Sequence, residues 1–286
     1  MRLLIGECEP AEAREARRAL VGRSLGDTLA AALRHVAGAD AATERAFPAD
    51  PEAPEPDVEE LAGYDAVFLT GSPIHVYDGS PEARSTIGFA RAVFGSGTPC
   101  WGSCAGLQIA VVAAGGVVRS MQDRREAGIT RRISATDAGR DHPMLKGRAP
   151  VWDAVTIHSD EVERLPDNSV LLARNGETEV QAAEIRMGPG VFWGTQYHPE
   201  LPLDEIAAAL RRDADDLVET GLARAPVEVK LQAALLDALA RNPERRDLRW
   251  RLGVDAELAD RERRTLELRN FVEHLVKPAM AVRGRV

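Results

Sequence analysis

Short apolar runs alternate with amphipathic, Ala- and Leu-rich stretches through roughly the first three quarters of the chain. Met1-Arg2-Leu3-Leu4-Ile5-Gly6 reads as a first strand. Residues 11–37, rich in Ala, Leu and Arg, read as helix, with Gly22 to Gly26 the place where it would break. Four prolines among acidic residues mark 48–56 as an exposed loop. Ala66-Val67-Phe68-Leu69 is a short apolar strand and 84–94 a helix. Thr98-Pro99-Cys100-Trp101-Gly102 is a strand that leads into helix over 107–114, which Gly115-Gly116 stops. Further strands are predicted over 129–135, 151–157, 170–173, 180–185 and 191–196, then helix over 203–212. This alternation predicts an α/β fold: an open, mostly parallel sheet with helices on both faces and antiparallel additions near its edge. In such sheets a site forms outside the carboxyl ends of the strands, where turns at Gly71, Cys104 and His198 would converge.

The pattern changes at about residue 213, which divides the chain into a domain of residues 1–212 and a helical C-terminal extension of 213–286. Helix is predicted over 229–240, a break at Asn242-Pro243, and helix again over 256–276. Leu268, Val272 and Leu275 fall on one face at i, i+4 and i+7. That face is either a cap packed on the first domain or a contact with a second copy or a partner chain. Trp250 among Arg245, Arg246, Arg249 and Arg251 does not read as a nucleic-acid patch, because Glu244, Asp247 and Asp255 offset the charge.

Two segments carry the chemistry, about ninety residues apart: Gly102-Ser103-Cys104-Ala105-Gly106-Leu107-Gln108 and Gln196-Tyr197-His198-Pro199-Glu200. Together they supply a thiol, an imidazole and a carboxylate, the minimum for a cysteine nucleophile, its base and a group that orients the base. Glycines two residues to either side of Cys104 suit a sharp strand-to-helix turn, since a Cβ there would crowd the backbone. The helix N-terminus would favour thiolate, and the Ala105 N–H would point where an oxyanion forms. His198 and Glu200 are two apart, so in an extended stretch both side chains share a face. Cys and His are also zinc ligands, but the close ligand pairs of structural zinc sites are absent from the spacing, and no metal or other cofactor is called for.

At these residues the chain resembles the class I glutamine amidotransferases, the Cys-His-Glu glutaminase domains that release ammonia from glutamine, over roughly residues 1–212. Leu69-Thr70-Gly71-Ser72-Pro73 is similar to the family's Gly-Gly-Pro oxyanion loop, with Ser72 in the second glycine's place. Arg125-Glu126-Ala127-Gly128 and His158-Ser159-Asp160-Glu161-Val162 resemble segments of the GMP-synthetase branch. The resemblance implies a flavodoxin-like amidotransferase fold, Cys104, His198 and Glu200 as catalytic residues, and backbone N–H groups of Ser72 and Ala105 as the oxyanion hole. It further implies substrate contacts from Gly71, Gln108, Gly128 and Asp160. Ser103 and Ala105 depart from the family's bulky neighbours of the nucleophile, and smaller side chains there would widen the pocket. The activity implied is a glutaminase that forms a Cys104 thioester and passes ammonia to a separate synthetase chain, since neither a P-loop nor a pyrophosphatase loop occurs in the sequence. Two alternatives stand beside it: a γ-glutamyl peptide or amide hydrolase with the same triad, and a non-catalytic binding or regulatory protein on this fold.

A net charge of −9 over 286 residues argues against a general nucleic-acid surface. No apolar run approaches the length of about twenty residues that spans a membrane, and the acidic Glu7 and Glu9 directly after the first strand do not fit a signal peptide. Three cysteines make no disulfide framework, so a reducing cytoplasm is the expected compartment. Expected partners are a small-molecule substrate, a second copy docked through the C-terminal helices, and a separate synthetase subunit.

Overall fold

A computed structural model describes residues 1–122 and 125–285. Eleven strands are present among them: β1 (Arg2–Gly6), β2 (Ala42–Ala46), β3 (Ala66–Leu69), β4 (Cys100–Ser103), β5 (Val117–Ser120), β6 (Glu126–Ala135), β7 (Val151–His158), β8 (Asp160–Arg164), β9 (Ser169–Arg174), β10 (Ala182–Met187) and β11 (Gly190–Thr195). Nine form one sheet in the order β2-β1-β3-β4-β11-β10-β9-β6-β7. The pairs from β2 to β11 are parallel, and those from β11 to β7 antiparallel. The antiparallel part is therefore a four-strand arm that carries the sheet far past its parallel centre. β5 and β8 form a separate antiparallel ribbon.

Strand alternation divides the apolar side chains between two faces. Leu3, Ile5, Phe68, Trp101 and Trp193 point into one hydrophobic cluster, and Leu4, Val67, Leu69, Cys100 and Phe192 into the other. The second is covered by helices Pro81–Ser96 and Ala105–Ala113. The first is covered by helix Leu25–Ala37 and by the C-terminal segment, whose Leu268, Phe271 and Val272 are fully buried. Phe271 meets Phe68, Trp101 and Trp193 edge-on at 5.4, 5.7 and 6.0 Å between ring centroids. The apolar stripe at 268, 272 and 275 is thus spent within the chain. Glu267, on the same turn, is buried too, bonded to Arg148 and to the Tyr197 hydroxyl at 2.7 Å.

Local chemistry explains where the elements differ from the sequence pattern. The helix expected over 11–37 does break, with Gly22 in the left-handed region and Ser24 capping the second half. Helix Pro81–Ser96 starts three residues before the predicted 84, because Ser80 accepts from the Ala83 amide and Pro81 fits the first turn. The continuous helix expected over 256–276 is instead a series of short helices. Asp255 and Asp260 each accept an amide two residues on and restart the helix, and 272–276 is wound as a π-helix. β2, with sequence Ala-Thr-Glu-Arg-Ala, is an edge strand that among the described residues pairs only with β1, and it carries no apolar signal. Pro48 and Ala49 are buried at the start of the proline-rich loop, where Asp50 takes two 2.8 Å bonds from Arg14. No helix among the described residues is long and apolar enough to cross a membrane.

The C-terminal segment completes one face of the core, so Phe271→Ala should lower stability by about 3–5 kcal/mol. Leu231→Ala, at a position 62% exposed, should stay within about 0.5 kcal/mol. Urea unfolding of both variants checks the contrast.

Candidate active site

β4 and β11 lie side by side at the centre of the sheet, with Ser103 opposite Thr195, and both candidate segments leave from their carboxyl ends. Cys104 follows Ser103 with φ +54° and ψ −114°, a strained conformation for a residue with a Cβ. Its amide donates to the Thr195 carbonyl at 2.8 Å, and its own carbonyl accepts from Gln108 as helix Ala105–Ala113 begins. Both flanking glycines are sterically required. A Cβ on Gly102 would lie 2.6 Å from the Gly106 carbonyl carbon, and one on Gly106 would lie 2.5 Å from the Leu69 oxygen. Cys8 and Cys100 are fully buried, and desolvation pushes their thiols up, Cys8 to about 12. Cys104 borders a cavity of about 830 Å³.

Beyond β11 the chain leaves extended geometry, so His198 and Glu200 sit in an irregular turn rather than on a strand. The His198 amide donates to the Val155 carbonyl at 2.9 Å and its Nδ1 lies 2.8 Å from Glu200 Oε1. Both residues are buried. Burial alone would lower the His198 pKa. The Glu200 charge, a side-chain hydrogen bond with Cys104 and the bond to Glu200 outweigh it, and His198 is pushed up to about 10. The bond to Glu200 thus favours the protonated form of the ring.

The sequence reading of Ser103 as a pocket-widening neighbour is corrected here. Ser103 shares a face with Trp101, turned into the protein, and is 2% exposed. Its hydroxyl donates to Glu200 Oε2 at 2.8 Å and accepts from Trp101 Nε1 at 3.2 Å. Glu200 is therefore held at both oxygens. The period-two pattern Trp101, Ser103 was the available signal.

Cys104 and His198 open onto a cavity of about 830 Å³ that Gly71, Ser72, Gln108 and Asp160 also line. A Cβ on Gly71 would lie 3.0 Å from His198 Cε1 and 3.8 Å from the Cys104 Cβ, so this loop needs glycine to close on the pair. Gln108 is buried and its amide donates to the Asp160 carbonyl at 3.0 Å and to Gln196 Oε1 at 3.2 Å. The Asp160 carboxylate accepts from the Tyr77 hydroxyl at 3.1 Å and lies 2.7 Å from His75 Nδ1. Ala105 opens the helix directly after the thiol, and its amide is among those a helix leaves without an internal partner. Gly128 stands apart: it lies on β6 with φ +83°, against Leu210 and outside the residues that line the cavity.

Two further features have partners that the sequence does not reveal, although Glu126 itself lies in the Arg125-Glu126-Ala127-Gly128 segment. Glu126 opens β6 opposite His158 of β7 and is buried; its carboxylate accepts from Thr130, Asn175, Thr178 and Gln181 and lies 3.1 Å from His158 Nε2. Desolvation would raise its pKa, but the bonds from His158, Thr130 and Asn175 hold it down at about 2. His158 Nδ1 in turn donates to the same Asp160 carbonyl that takes Gln108. The far wall of the cavity combines Ala13, Ala16, Arg17 and Leu20 of helix Ala11–Val21 with Arg125, Arg212, Asp213 and Asp216. Among the described residues no three His, Cys, Asp or Glu side chains converge as a metal-ligand set.

This elbow, imidazole and carboxylate on a sheet of this order define a cysteine-dependent enzyme of the amidotransferase type, and the comparisons with known proteins agree. The family model "Glutamine amidotransferase class-I" matches residues 24–214, and the chain belongs to that family. It is 41% identical over 241 residues to a gamma-glutamyl-L-1-hydroxyisopropylamide hydrolase of a Pseudomonas species, covering 82% of this chain and 80% of that protein. It is 30% identical over 148 residues to a glutamine-hydrolyzing GMP synthase subunit of Ignicoccus hospitalis, covering 52% of this chain and 71% of the other. Among solved structures, a glutamine amidotransferase of Thermotoga maritima superposes with a TM-score of 0.64 at 17% identity, over 97% of this chain and 98% of that one. This last likeness is one of fold.

Ser103→Ala should leave Glu200 Oε2 as a buried acceptor without a donor, at a cost of about 1–3 kcal/mol, and slow turnover while Ser103→Thr restores part of it. Steady-state kinetics and urea unfolding read the two effects. The raised His198 pKa also gives a pH dependence of stability. Below the ordinary value of 6.5 both folded and unfolded chains hold the proton and the contribution is complete; it is lost as pH rises through about 10. Wild-type protein should therefore lose stability between pH 7 and 10 along a slope that Glu200→Gln flattens, measured by urea titration across that range.

Proposed function

We propose that the protein hydrolyses γ-glutamyl amides through a Cys104 thioester, with amides of small organic amines as its preferred substrates. The observation that carries this reading is the Cys104–His198–Glu200 constellation opening onto a cavity of about 830 Å³. Pockets of roughly 300–1,000 Å³ enclose drug-sized ligands, so this one has room for a substituent on the amide nitrogen beyond a glutamine side chain. The relative of the Pseudomonas species, similar over four fifths of both chains, bears the name of a hydrolase of one such N-substituted γ-glutamyl amide.

The chemistry follows from the side chains. The Cys104 thiolate attacks the γ-carbonyl carbon, and the new C–S bond pushes the carbonyl electrons onto oxygen, which the Ser72 and Ala105 N–H groups receive. Protonated His198 gives its proton to the amide nitrogen as the C–N bond breaks, and the amine leaves. A water then adds to the thioester while His198 takes its proton, the C–S bond breaks, and glutamate and the thiolate are released. Glu200 keeps the ring oriented and stabilises its charge throughout. Gly71, Gln108 and Asp160 border the position of the γ-glutamyl head. Gly128 acts at one remove, through β6 and Glu126. No step requires a cofactor.

A second reading, release of ammonia from glutamine for a separate synthetase, draws on the similarity to the GMP synthase subunit of Ignicoccus hospitalis over half of the chain. Steady-state kinetics separate the two. The proposal predicts kcat/KM for γ-glutamyl isopropylamide at least tenfold above that for glutamine, and a loss of at least 10³-fold in Cys104→Ala. Preference for glutamine, or equal turnover by Cys104→Ala, would overturn it.

A further inference from the structure

Glu200 also lines a second cavity, of about 510 Å³, which contains neither Cys104 nor His198. One side is formed by helix Leu25–Ala37 and by Pro202 to Glu205; the other comes from the C-terminal segment, outside the stretch that the family model matches. Four carboxylates border it, and each is already engaged. Glu200 is held by His198 and Ser103, Glu205 by Arg17, Arg23 and Thr28, and Asp237 by Arg211. Asp204 lies 3.7 Å from Arg23. Arg17, Arg211 and His198 make these contacts from outside the cavity.

Of the four arginines that line it, only Arg23 is matched in the same way. Among the described residues, Arg241, Arg261 and Arg264 have no carboxylate within ion-pair distance. Arg261 donates only to the Ala31 carbonyl at 3.3 Å. Arg264 donates to the Leu258 and Ala259 carbonyls at 2.8 and 3.5 Å, and its Nε is buried with no hydrogen-bond partner. Desolvation, with the Arg261 charge beside it, lowers the Arg264 pKa to about 10. Arg264 is half-buried, and the more distant Asp260 and Asp204 charges only partly offset its desolvation; a guanidinium drawn from water without a paired carboxylate is costly, and its planar fork matches the oxygens of phosphate.

We infer that this cavity binds a small tetrahedral oxyanion, phosphate or a phosphate monoester, on Arg264 with Arg241 and Arg261 at its mouth. The site is independent of which γ-glutamyl substrate the triad takes. It gives the C-terminal segment a binding role on the far side of the carboxylate that orients His198.

The test uses the full chain in a phosphate-free buffer, with inorganic phosphate and glycerol 2-phosphate as probes at ionic strength fixed by sodium chloride. Calorimetric titration should show one site, and the melting temperature should rise by several degrees at saturation. Tighter binding of the monoester would identify an esterified ligand, and tighter binding of inorganic phosphate the free ion, both within the proposal. Arg264→Gln should weaken binding at least tenfold, and Arg241→Gln, exposed and free of structural bonds, by a smaller factor with its melting temperature in chloride unchanged. No heat and no shift beyond chloride at equal ionic strength would overturn the proposal. Binding that both variants leave intact would overturn it too, since phosphate would then sit elsewhere, for instance on Arg17 and Arg212 of the active-site cavity.

Discussion

The carboxylate of Glu200 is the constraint around which the site is built. It is buried, it holds the His198 ring at one oxygen and it is itself held by Ser103 at the other. A charge in that position is tolerable because both oxygens are hydrogen-bonded and the neighbouring imidazole carries the opposite charge. Its charge and hydrogen bond favour the protonated form of the His198 ring, which in the proposed reaction gives the proton to the leaving group. Ser103 belongs to the strand that ends at Cys104, so one element fixes both the thiol and the Glu200 carboxylate.

The rest of the fold delivers these groups to one place. Parallel pairing of β4 with β3 and β11 aligns three carboxyl ends, and glycines at 71, 102 and 106 let the loops close to distances that a side chain would forbid. The residue before His198 is fixed from a different direction. Tyr197 is fully buried and bonds Glu267, which Arg148 pairs. The C-terminal segment thus supports the turn that carries His198 as well as closing the sheet face under Phe271. Its removal would open both the core and the support of that turn.

Most of this was legible in the sequence wherever a local pattern carries the information. The apolar runs placed β1, β3, β4, β7 and β11, and the Gly-x-Cys-x-Gly and His-Pro-Glu segments marked the thiol, the ring and the carboxylate. What was hidden depends on contacts distant in sequence. β2 and β8 are polar strands recognisable only once a partner is present. The wall of the cavity joins helix Ala11–Val21 to residues 212–216, and no local signal pairs them. Glu126 sits in a recognised motif, but the donors that fill its carboxylate come from three later segments. The helix over 256–276 failed for a local reason, since Asp255 and Asp260 compete for the backbone as caps. Ser103 was visible but assigned to the wrong face of its strand.

The central claim is that Cys104 is the nucleophile for a γ-glutamyl carbonyl group. Mass spectrometry of the intact protein after incubation with 6-diazo-5-oxo-norleucine, an electrophile shaped like a γ-glutamyl group, tests it most directly. The account predicts a single adduct that maps to Cys104, is suppressed by excess γ-glutamyl isopropylamide, and leaves the buried thiols of Cys8 and Cys100 untouched. No adduct, or one on Cys8 or Cys100, would contradict it.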